Sequence, residues 1–217
     1  MANDEKFRIS LDKNPSIVAE VVPGHFTTGY YHANYYLDVS KLKASALVAR
    51  DVARELAIPY IARTTVETIV CMDNTEVIGA YLAEELLEHG ALIINSGGEI
   101  HVVTPMGSSL GKFVFQDSVL DWLYERDIVL LTATISSGRT VNSALECISY
   151  YGGNVVGIST LFMTSHDWTE RAVHPLFTVE DIPGFKQFLP ADCEICKSGQ
   201  SLDAIISSEG YTKIGSR

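Results

Sequence analysis

The sequence predicts an α/β fold in which a parallel β-sheet is flanked by helices, with a small cap lobe at the N-terminus. Short apolar runs without polar alternation recur along the chain, which is typical of strands that are buried on both faces of a parallel sheet. Segments with helical spacing of apolar residues follow these runs, such as residues 75–89, after which Gly90 occupies a helix-stop position. Repeated strand–helix units of this kind favour a parallel sheet that is covered on both faces.

The pattern of apolar residues predicts helices at residues 41–56, 75–89 and 141–150. It predicts strands at residues 68–72, 91–94, 100–104, 112–115, 128–131 and 154–161. Pro59 marks the end of the first helix. Residues 7–38 are rich in Tyr, His and Gly without a clean period, so we expect an irregular cap. We therefore predict a single domain with a cap at about residues 1–40, an α/β core at about 41–180 and a C-terminal tail at about 181–217.

Composition excludes several classes of protein. The 217 residues are 47% hydrophobic and 20% charged, which is ordinary for a soluble globular domain. The net charge of −11 argues against a nucleic-acid-binding protein. No apolar run reaches the roughly 18 residues of a membrane span. The first residues lack the apolar core of a signal peptide, so we expect a cytoplasmic location and no membrane partner.

A candidate phosphate site follows the strand at residues 128–131. The turn after this strand consists of Ser136, Ser137, Gly138, Arg139 and Thr140, and a helical pattern starts at its end. Such a turn directs backbone N–H groups and hydroxyls at one point, where the helix dipole also favours negative charge. The alternative is a plain capped helix start, because Thr140 would serve as N-cap whether or not anything binds.

The same region carries a family resemblance. Residues 127–161, which begin DIVLLTATISSGRT, resemble the 5-phosphoribosyl-1-diphosphate (PRPP) motif of type I phosphoribosyltransferases, and more specifically of orotate phosphoribosyltransferases. Residues 24–38 (GHFTTGYYHANYYLD) resemble the substrate-lobe motif of that family, and residues 189–199 (LPADCEICKSG) and 213–217 (KIGSR) resemble the tail of some members. The resemblance therefore spans nearly the whole chain and implies a sheet of the phosphoribosyltransferase type.

The resemblance implies transfer of a phosphoribosyl group from PRPP to a pyrimidine or related base. It further implies that Mg²⁺ bridges pyrophosphate and ribose oxygens, that the turn at residues 136–140 holds the 5-phosphate, and that the protein is a homodimer. The expected ligand is a phosphorylated small molecule: PRPP, a nucleoside monophosphate or ribose phosphate. A catalytically impaired homologue that binds such a ligand as a sensor or regulator is the alternative.

The chain departs from the family pattern at three places: the acidic pair, the pyrophosphate turn at residues 72–76, which carries Asp73 and Glu76, and the mobile loop, in which Lys112 is the one basic residue. The acidic pair that engages the ribose hydroxyls is replaced by Thr132 and Ala133, neither of which supplies negative charge. Loss of one preorganised electrostatic group commonly costs about 3 kcal/mol in the transition state. The pyrophosphate turn contains Asp73, Asn74 and Thr75, and negative charge there opposes an anion unless a metal ion lies between. Alternatively, Asp73 or Asn74 simply caps the helix that follows.

Three further sets of residues are candidates by resemblance. Lys112 is the basic residue in the segment that matches the mobile loop of the family and is our candidate catalytic lysine, with a solvated strand residue as the alternative. Arg63 lies near the position of a pyrophosphate-contacting arginine. The third set consists of Tyr30, Tyr31 and Tyr35, which would stack on a flat base or, alternatively, pack over the sheet or at a dimer contact.

The cysteines are too few for a disulfide scaffold. Cys193 and Cys196 have the CxxC spacing of zinc ligands, but the sequence shows no second pair beside them. His166 and His174 are candidate distant partners. We favour a reduced, metal-free pair over a zinc site.

Overall fold

The computed structural model describes residues 5–89, 98–107, 112–165, 171–207 and 210–214. The strands are β1 (Phe7–Leu11), β2 (Asn14–Thr27), β3 (His32–Asp38), β4 (Thr68–Cys71), β5 (His101–Val103), β6 (Met106–Gly107), β7 (Phe113–Val114), β8 (Asp127–Ile135), β9 (Asn154–Met163), β10 (Val173–Thr178), β11 (Gln187–Phe188), β12 (Ala204–Ser207) and β13 (Gly210–Lys213). The α-helices are α1 (Ser40–Ala44), α2 (Ala46–Ile61), α3 (Glu76–His89), α4 (Arg139–Tyr150) and α5 (Glu194–Lys197), and 3₁₀ turns occupy Asp117–Trp122, Val179–Asp181 and Pro190–Asp192.

The core is a parallel sheet of five strands in the order β10-β9-β8-β4-β5. All four residues of β4 are buried, which agrees with their apolar run without alternation. Ile69 packs on one side of the sheet with Leu56 of α2 and Leu82 of α3. Val70 packs on the other side with Ile148 of α4. The predicted parallel sheet flanked by helices is therefore confirmed.

A second sheet joins the two ends of the chain. Its strand order is β11-β3-β2-β12-β13, and β1 pairs with β2. The prediction of an irregular cap was wrong, because β1, β2 and β3 form an antiparallel meander. Ile17, Ala19 and Val21 alternate with more exposed residues along β2. A register irregularity between Pro23 and Phe26 and the density of Tyr, His and Gly hide this period in the sequence.

Several element limits differ from the predicted ones. The first predicted helix is interrupted at Ser45, which is extended with a ψ of 111°, and α2 continues to Ile61, past Pro59. Strand β8 is longer than predicted and continues to Ile135. The strand predicted at residues 91–94 lies outside the described residues. None of the helices in the described ranges combines the length and hydropathy that crossing a lipid bilayer requires.

Candidate functional site

A cleft of about 840 Å³ lies between the second sheet and the carboxyl ends of β4, β8 and β9. Ligands of parallel α/β sheets bind at this end of the strands. The residues that line the cleft include most of the predicted site: Tyr30, Tyr31, Tyr35, Asp73, Asn74, Ala133, Ser136, Ser137, Gly138, Arg139 and Thr140. Thr132 and Thr75 are buried directly behind this surface.

The turn at residues 136–140 has the geometry of an anion site. Gly138 has a φ of 70°, in the left-handed region that favours glycine, and it is the N-cap of α4 without a side-chain cap. Thr140 lies inside α4, so the prediction that Thr140 serves as N-cap was wrong. Within the described part of the chain, the N–H groups of residues 137–140 donate to no protein acceptor, although Asn142 N–H donates to the Gly138 carbonyl at 2.8 Å. The orphan N–H groups of this helix start therefore face the cleft.

Thr164 adds an unpaired polar atom to the same cleft. Its Oγ1 is buried and has no hydrogen-bond partner among the residues that the structure describes. Thr164 follows β9, and its N–H donates to the Ile135 carbonyl at the end of β8. A buried hydroxyl without a partner is costly, and a polar ligand in the cleft would supply one.

The loop after β4 carries a carboxylate to the place where the sequence lacks one. Asp73 Oδ2 accepts hydrogen bonds from Thr132 Oγ1 at 2.5 Å and from the Ala133 N–H at 3.3 Å. Asp73 and Asn74 have φ values of 57° and 59°, a conformation that Asp and Asn tolerate better than most residues. Thr132 and Ala133 supply no negative charge themselves, but a carboxylate from another strand end stands beside them.

Buried hydrogen bonds hold this loop in place. Thr75 is fully buried, and its Oγ1 donates to the Met72 carbonyl at 2.8 Å and to the Leu131 carbonyl at 3.3 Å. Lys43 of α1 lines the cleft, and its Nζ donates to the Asp73 carbonyl at 2.8 Å. Lys43 could not be identified from the sequence, because its contact depends on how the short helix α1 lies over the loop. The hydrogen bonds to the Met72 and Asp73 carbonyls therefore hold the backbone at Asp73 in place.

The charges around the cleft are nearly balanced. Among the described lining residues, the cations are Lys43 and Arg139 and the anions are Asp73 and Glu76. Glu76 Oε1 accepts a hydrogen bond from Thr104 Oγ1 at 3.0 Å. Two carboxylates, one on the loop after β4 and one at the start of α3, make this end of the cleft unfavourable for a bare polyanion.

Aromatic side chains from the second sheet form the opposite wall. The Arg139 guanidinium lies 4.2 Å from the centre of the Tyr30 ring, so the turn at residues 136–140 and this wall are joined by a cation–π contact. Tyr31 and Tyr35 line the same cleft. Burial, followed by Asp38 and Tyr211, raises the pKa of Tyr36 to about 12, which keeps this lining hydroxyl protonated as a donor.

Two predicted site residues stand apart from the cleft. Arg63 is exposed on the connection after α2, before β4, and does not line the cleft. Lys112 is exposed beside Phe113, and it is Phe113 that lines the cleft.

A second cluster of functional groups lies where the two ends of the chain meet. Ligand atoms of His25, His32, Cys193 and Cys196 all lie within 4.8 Å of one another. His174, one of the two candidate distant partners, lies elsewhere, edge-on to the Tyr60 ring, and the other candidate, His166, lies outside the described residues. Burial, then the neighbouring His25, lowers the pKa of His32 and favours its neutral form. The sequence hides this cluster because the pairs are about 160 residues apart.

No family model matches the chain, and no curated protein matches it. Among solved structures, the UMP synthase of Leishmania donovani is 18% identical with a TM-score of 0.53, and the match covers 74% of this chain and 34% of that chain. An orotate phosphoribosyltransferase of Mycobacterium tuberculosis is 15% identical with a TM-score of 0.48, covering 75% and 91%. A phosphoribosyltransferase of Corynebacterium diphtheriae is 17% identical with a TM-score of 0.47, covering 70% and 86%.

At these identities the comparisons establish the fold alone. The chain therefore has the phosphoribosyltransferase-type fold that the sequence predicts.

Proposed function

We propose that the cleft binds a ribose 5-phosphate group and that the chain transfers it from PRPP to a pyrimidine or related base. The observation that carries the proposal is the Asp73 carboxylate beside Thr132 and Ala133. Its Oδ2 takes both hydrogen bonds, while Oδ1 accepts none among the described residues. A carboxylate oxygen at this position can accept ribose hydroxyls and face the positive charge that develops on the sugar.

The 5-phosphate is assigned to the turn at residues 136–140. The N–H groups of residues 137–140 are available there, and the Ser136 and Ser137 hydroxyls lie beside them in the lining. A phosphate that accepts from several such donors gains charge-assisted hydrogen bonds, each worth about 1.5–3 kcal/mol. With the phosphate on this turn, the sugar extends towards the end of β8 and Asp73.

The base is assigned to the tyrosine wall. Tyr30 and Tyr31 lie on the turn that connects β2 to β3, and Tyr35 follows on β3. Their rings offer flat faces of the kind on which a heterocycle stacks. In the transfer, a nitrogen of the base forms a bond to the anomeric carbon of ribose, and pyrophosphate leaves with the electron pair of the bond that breaks.

The residues present fit the magnesium ion that the resemblance implies. Mg²⁺ prefers oxygen ligands, and the Asp73 and Glu76 carboxylates both line the pyrophosphate end of the cleft. These two side chains would hold the ion. When bound, it would supply the positive charge that pyrophosphate requires beside two carboxylates.

A second function, binding without turnover, is favoured by one specific observation. The two carboxylates stand on the loop that the resemblance assigns to pyrophosphate, and Lys43 is already bonded to the carbonyl of that loop. A nucleoside monophosphate carries no pyrophosphate and avoids this repulsion. In that case the protein is a nucleotide sensor or regulator. The homodimer and the cytoplasmic location stay predictions under either function.

Pyrophosphate release and thermal shift, measured together, test the proposal. Purified protein with PRPP, Mg²⁺ and a panel of pyrimidines is expected to release pyrophosphate with at least one base. Ribose 5-phosphate and nucleoside monophosphates are expected to raise the melting temperature through linkage. A rise in melting temperature without release supports the sensor, and flat melting curves with no release contradict both functions.

Paired variants assign the effect to the phosphate turn. Ser137→Ala together with Arg139→Ala is expected to weaken the ligand by about tenfold or more, which is the loss of one charge-assisted hydrogen bond. Ser149→Ala is the matched control, because Ser149 is exposed near the opposite end of α4. If the double variant and the control bind the ligand with equal affinity, the phosphate does not bind at this turn.

A further inference from the structure

The cluster of His25, His32, Cys193 and Cys196 has the dimensions of a tetrahedral metal centre. Bonds of about 2.3 Å from zinc to sulfur and about 2.0 Å to nitrogen place two nitrogens about 3.3 Å apart and a nitrogen and a sulfur about 3.6 Å apart. His25 Nε2 and His32 Nδ1 are 3.2 Å apart.

The sulfur atoms occupy the two remaining corners. Cys193 Sγ lies 3.4 Å from His25 Nε2, and Cys196 Sγ lies 3.6 Å from the same nitrogen and 3.3 Å from His32 Nδ1. Four soft or borderline ligands at tetrahedral spacing are typical of zinc. We propose that these four residues bind one structural zinc ion.

The surroundings of His25 supply an independent argument. Its ring is fully buried, and Nδ1 lies 3.1 Å from the carbonyl oxygens of both Gln200 and Ser201. Carbonyl oxygens only accept hydrogen bonds, so Nδ1 carries the proton and Nε2 presents its lone pair to the cluster. This is how proteins orient histidine ligands of metal ions. The Cys196 N–H points at Cys193 Sγ at 3.5 Å, which stabilises negative charge on that sulfur.

Burial and charge also favour a closed structural site. His25 and Cys193 are fully buried, His32 is 8% exposed, and only Cys196 reaches the surface. Two thiolates and two neutral imidazoles balance the charge of Zn²⁺, whereas two thiolates in this pocket without a cation would be strongly destabilised. All four corners come from protein side chains, so the ion has no open position for a substrate.

The ion would join the two ends of the chain. His25 and His32 lie on β2 and β3, whereas Cys193 is the N-cap of α5 and Cys196 lies within α5, in the C-terminal tail. The turn between the two histidines carries Tyr30 and Tyr31, which line the cleft. The zinc site therefore fixes the hairpin that forms one wall of the cleft, without contacting the ligand.

Metal analysis of the full-length protein tests the proposal. Protein purified without chelator is expected to contain about one zinc ion per chain, and Cys193→Ser and Cys196→Ser to contain almost none. Cys196→Ser is the stricter variant, since Cys196 is exposed and its loss leaves the packing intact. Cys147→Ala and His174→Gln are the controls, because both residues lie outside the cluster, and they are expected to keep the zinc.

Cobalt substitution gives a spectroscopic test of the ligand set. Exchange of zinc for Co²⁺ is expected to give the intense visible bands of tetrahedral cobalt and a thiolate charge-transfer band, which weakens in Cys196→Ser. Four reactive thiols with no bound metal would overturn the proposal, as would a disulfide between Cys193 and Cys196 or zinc retained by both serine variants.

Discussion

The Asp73 carboxylate lies 2.5 Å from the Thr132 hydroxyl, which joins the end of β4 to the end of β8 at the floor of the cleft. The two residues are 59 positions apart in sequence. Thr132 is 1% exposed, whereas Asp73 is half-buried and lines the cleft, and its Oδ1 accepts no hydrogen bond among the described residues. The negative charge of the site is thus supplied from the neighbouring strand end.

Asp73→Asn is the first prediction. The amide keeps the size of the side chain and an oxygen for Thr132, but it removes the charge. If the chain is a transferase, kcat/KM falls by about a hundredfold, which corresponds to one preorganised electrostatic group. Steady-state pyrophosphate release measures this, with Asp121→Asn on the exposed 3₁₀ turn as control. Unchanged kcat/KM would show that Asp73 is not the sugar-facing acid.

The second prediction concerns an acid placed at position 132. Thr132→Asp puts a second carboxylate in contact with Asp73 at a buried position, and like charges at this range repel strongly. We expect a loss of several kcal/mol in the free energy of unfolding. Adding Asp73→Ala should recover part of that loss, with a coupling energy of about 0.5–3 kcal/mol in a double-mutant cycle measured by urea unfolding. Additive effects would mean that the two side chains do not interact.

The third prediction separates backbone strain from ligand binding. Gly138 and Gly184 have φ values of 70° and 75°. Alanine at either position costs roughly 1–2 kcal/mol of stability, because both adopt the left-handed conformation. Only Gly138→Ala should also weaken ribose 5-phosphate, since Gly184 lies outside the cleft. Calorimetric titration of both variants measures this, and equal affinities would contradict the assignment of the phosphate turn.

The fourth prediction is a pH dependence of stability at the base of the core sheet. Burial would raise the pKa of Glu67, but the Asp127 N–H and the Arg126 guanidinium outweigh it, so the pKa is lowered from its ordinary value of 4.5. A lowered folded pKa means that Glu67 stabilises the fold fully above pH 4.5, and that this contribution is lost as pH falls through the lowered value.

The ion pair of Glu67 with Arg126 is partly exposed, so it contributes at most about 1 kcal/mol to the free energy of unfolding. Glu67→Gln should lower the free energy of unfolding by this amount at pH 7 and by less at pH 3, as measured by urea unfolding at both values. An identical loss at both pH values would rule out an ionised Glu67 as the cause.

The core could be predicted because its signals are local. The apolar run before Ser136 and the helical period after Gly138 are read directly from consecutive residues, and both elements lie where the pattern places them. The second sheet could not be read in this way. Strand β12 pairs with β2 across almost the whole chain, and neither segment's own residues indicate which strand it pairs with.

The site was predictable only in part for the same reason. The turn at residues 136–140 is one continuous segment, so the sequence alone identifies it as a candidate phosphate site. The Asp73 contact depends on the parallel pairing of β4 with β8, which brings Met72 and Thr132 to the same edge of the sheet. The zinc ligands depend on the meeting of β3 with β11, since Phe188 pairs with His32 just before the cysteines. Sequence spacing identifies a pair of candidate metal ligands such as CxxC, but it does not identify the further ligands that the tertiary structure brings to that pair.

A crystal structure with ribose 5-phosphate and Mg²⁺ would show whether Asp73 faces the sugar. We expect the phosphate within hydrogen-bond distance of the N–H groups of residues 137–140, and the ribose hydroxyls beside Oδ1 of Asp73. An empty turn at saturating ligand, or a ligand whose sugar lies away from Asp73, would contradict it.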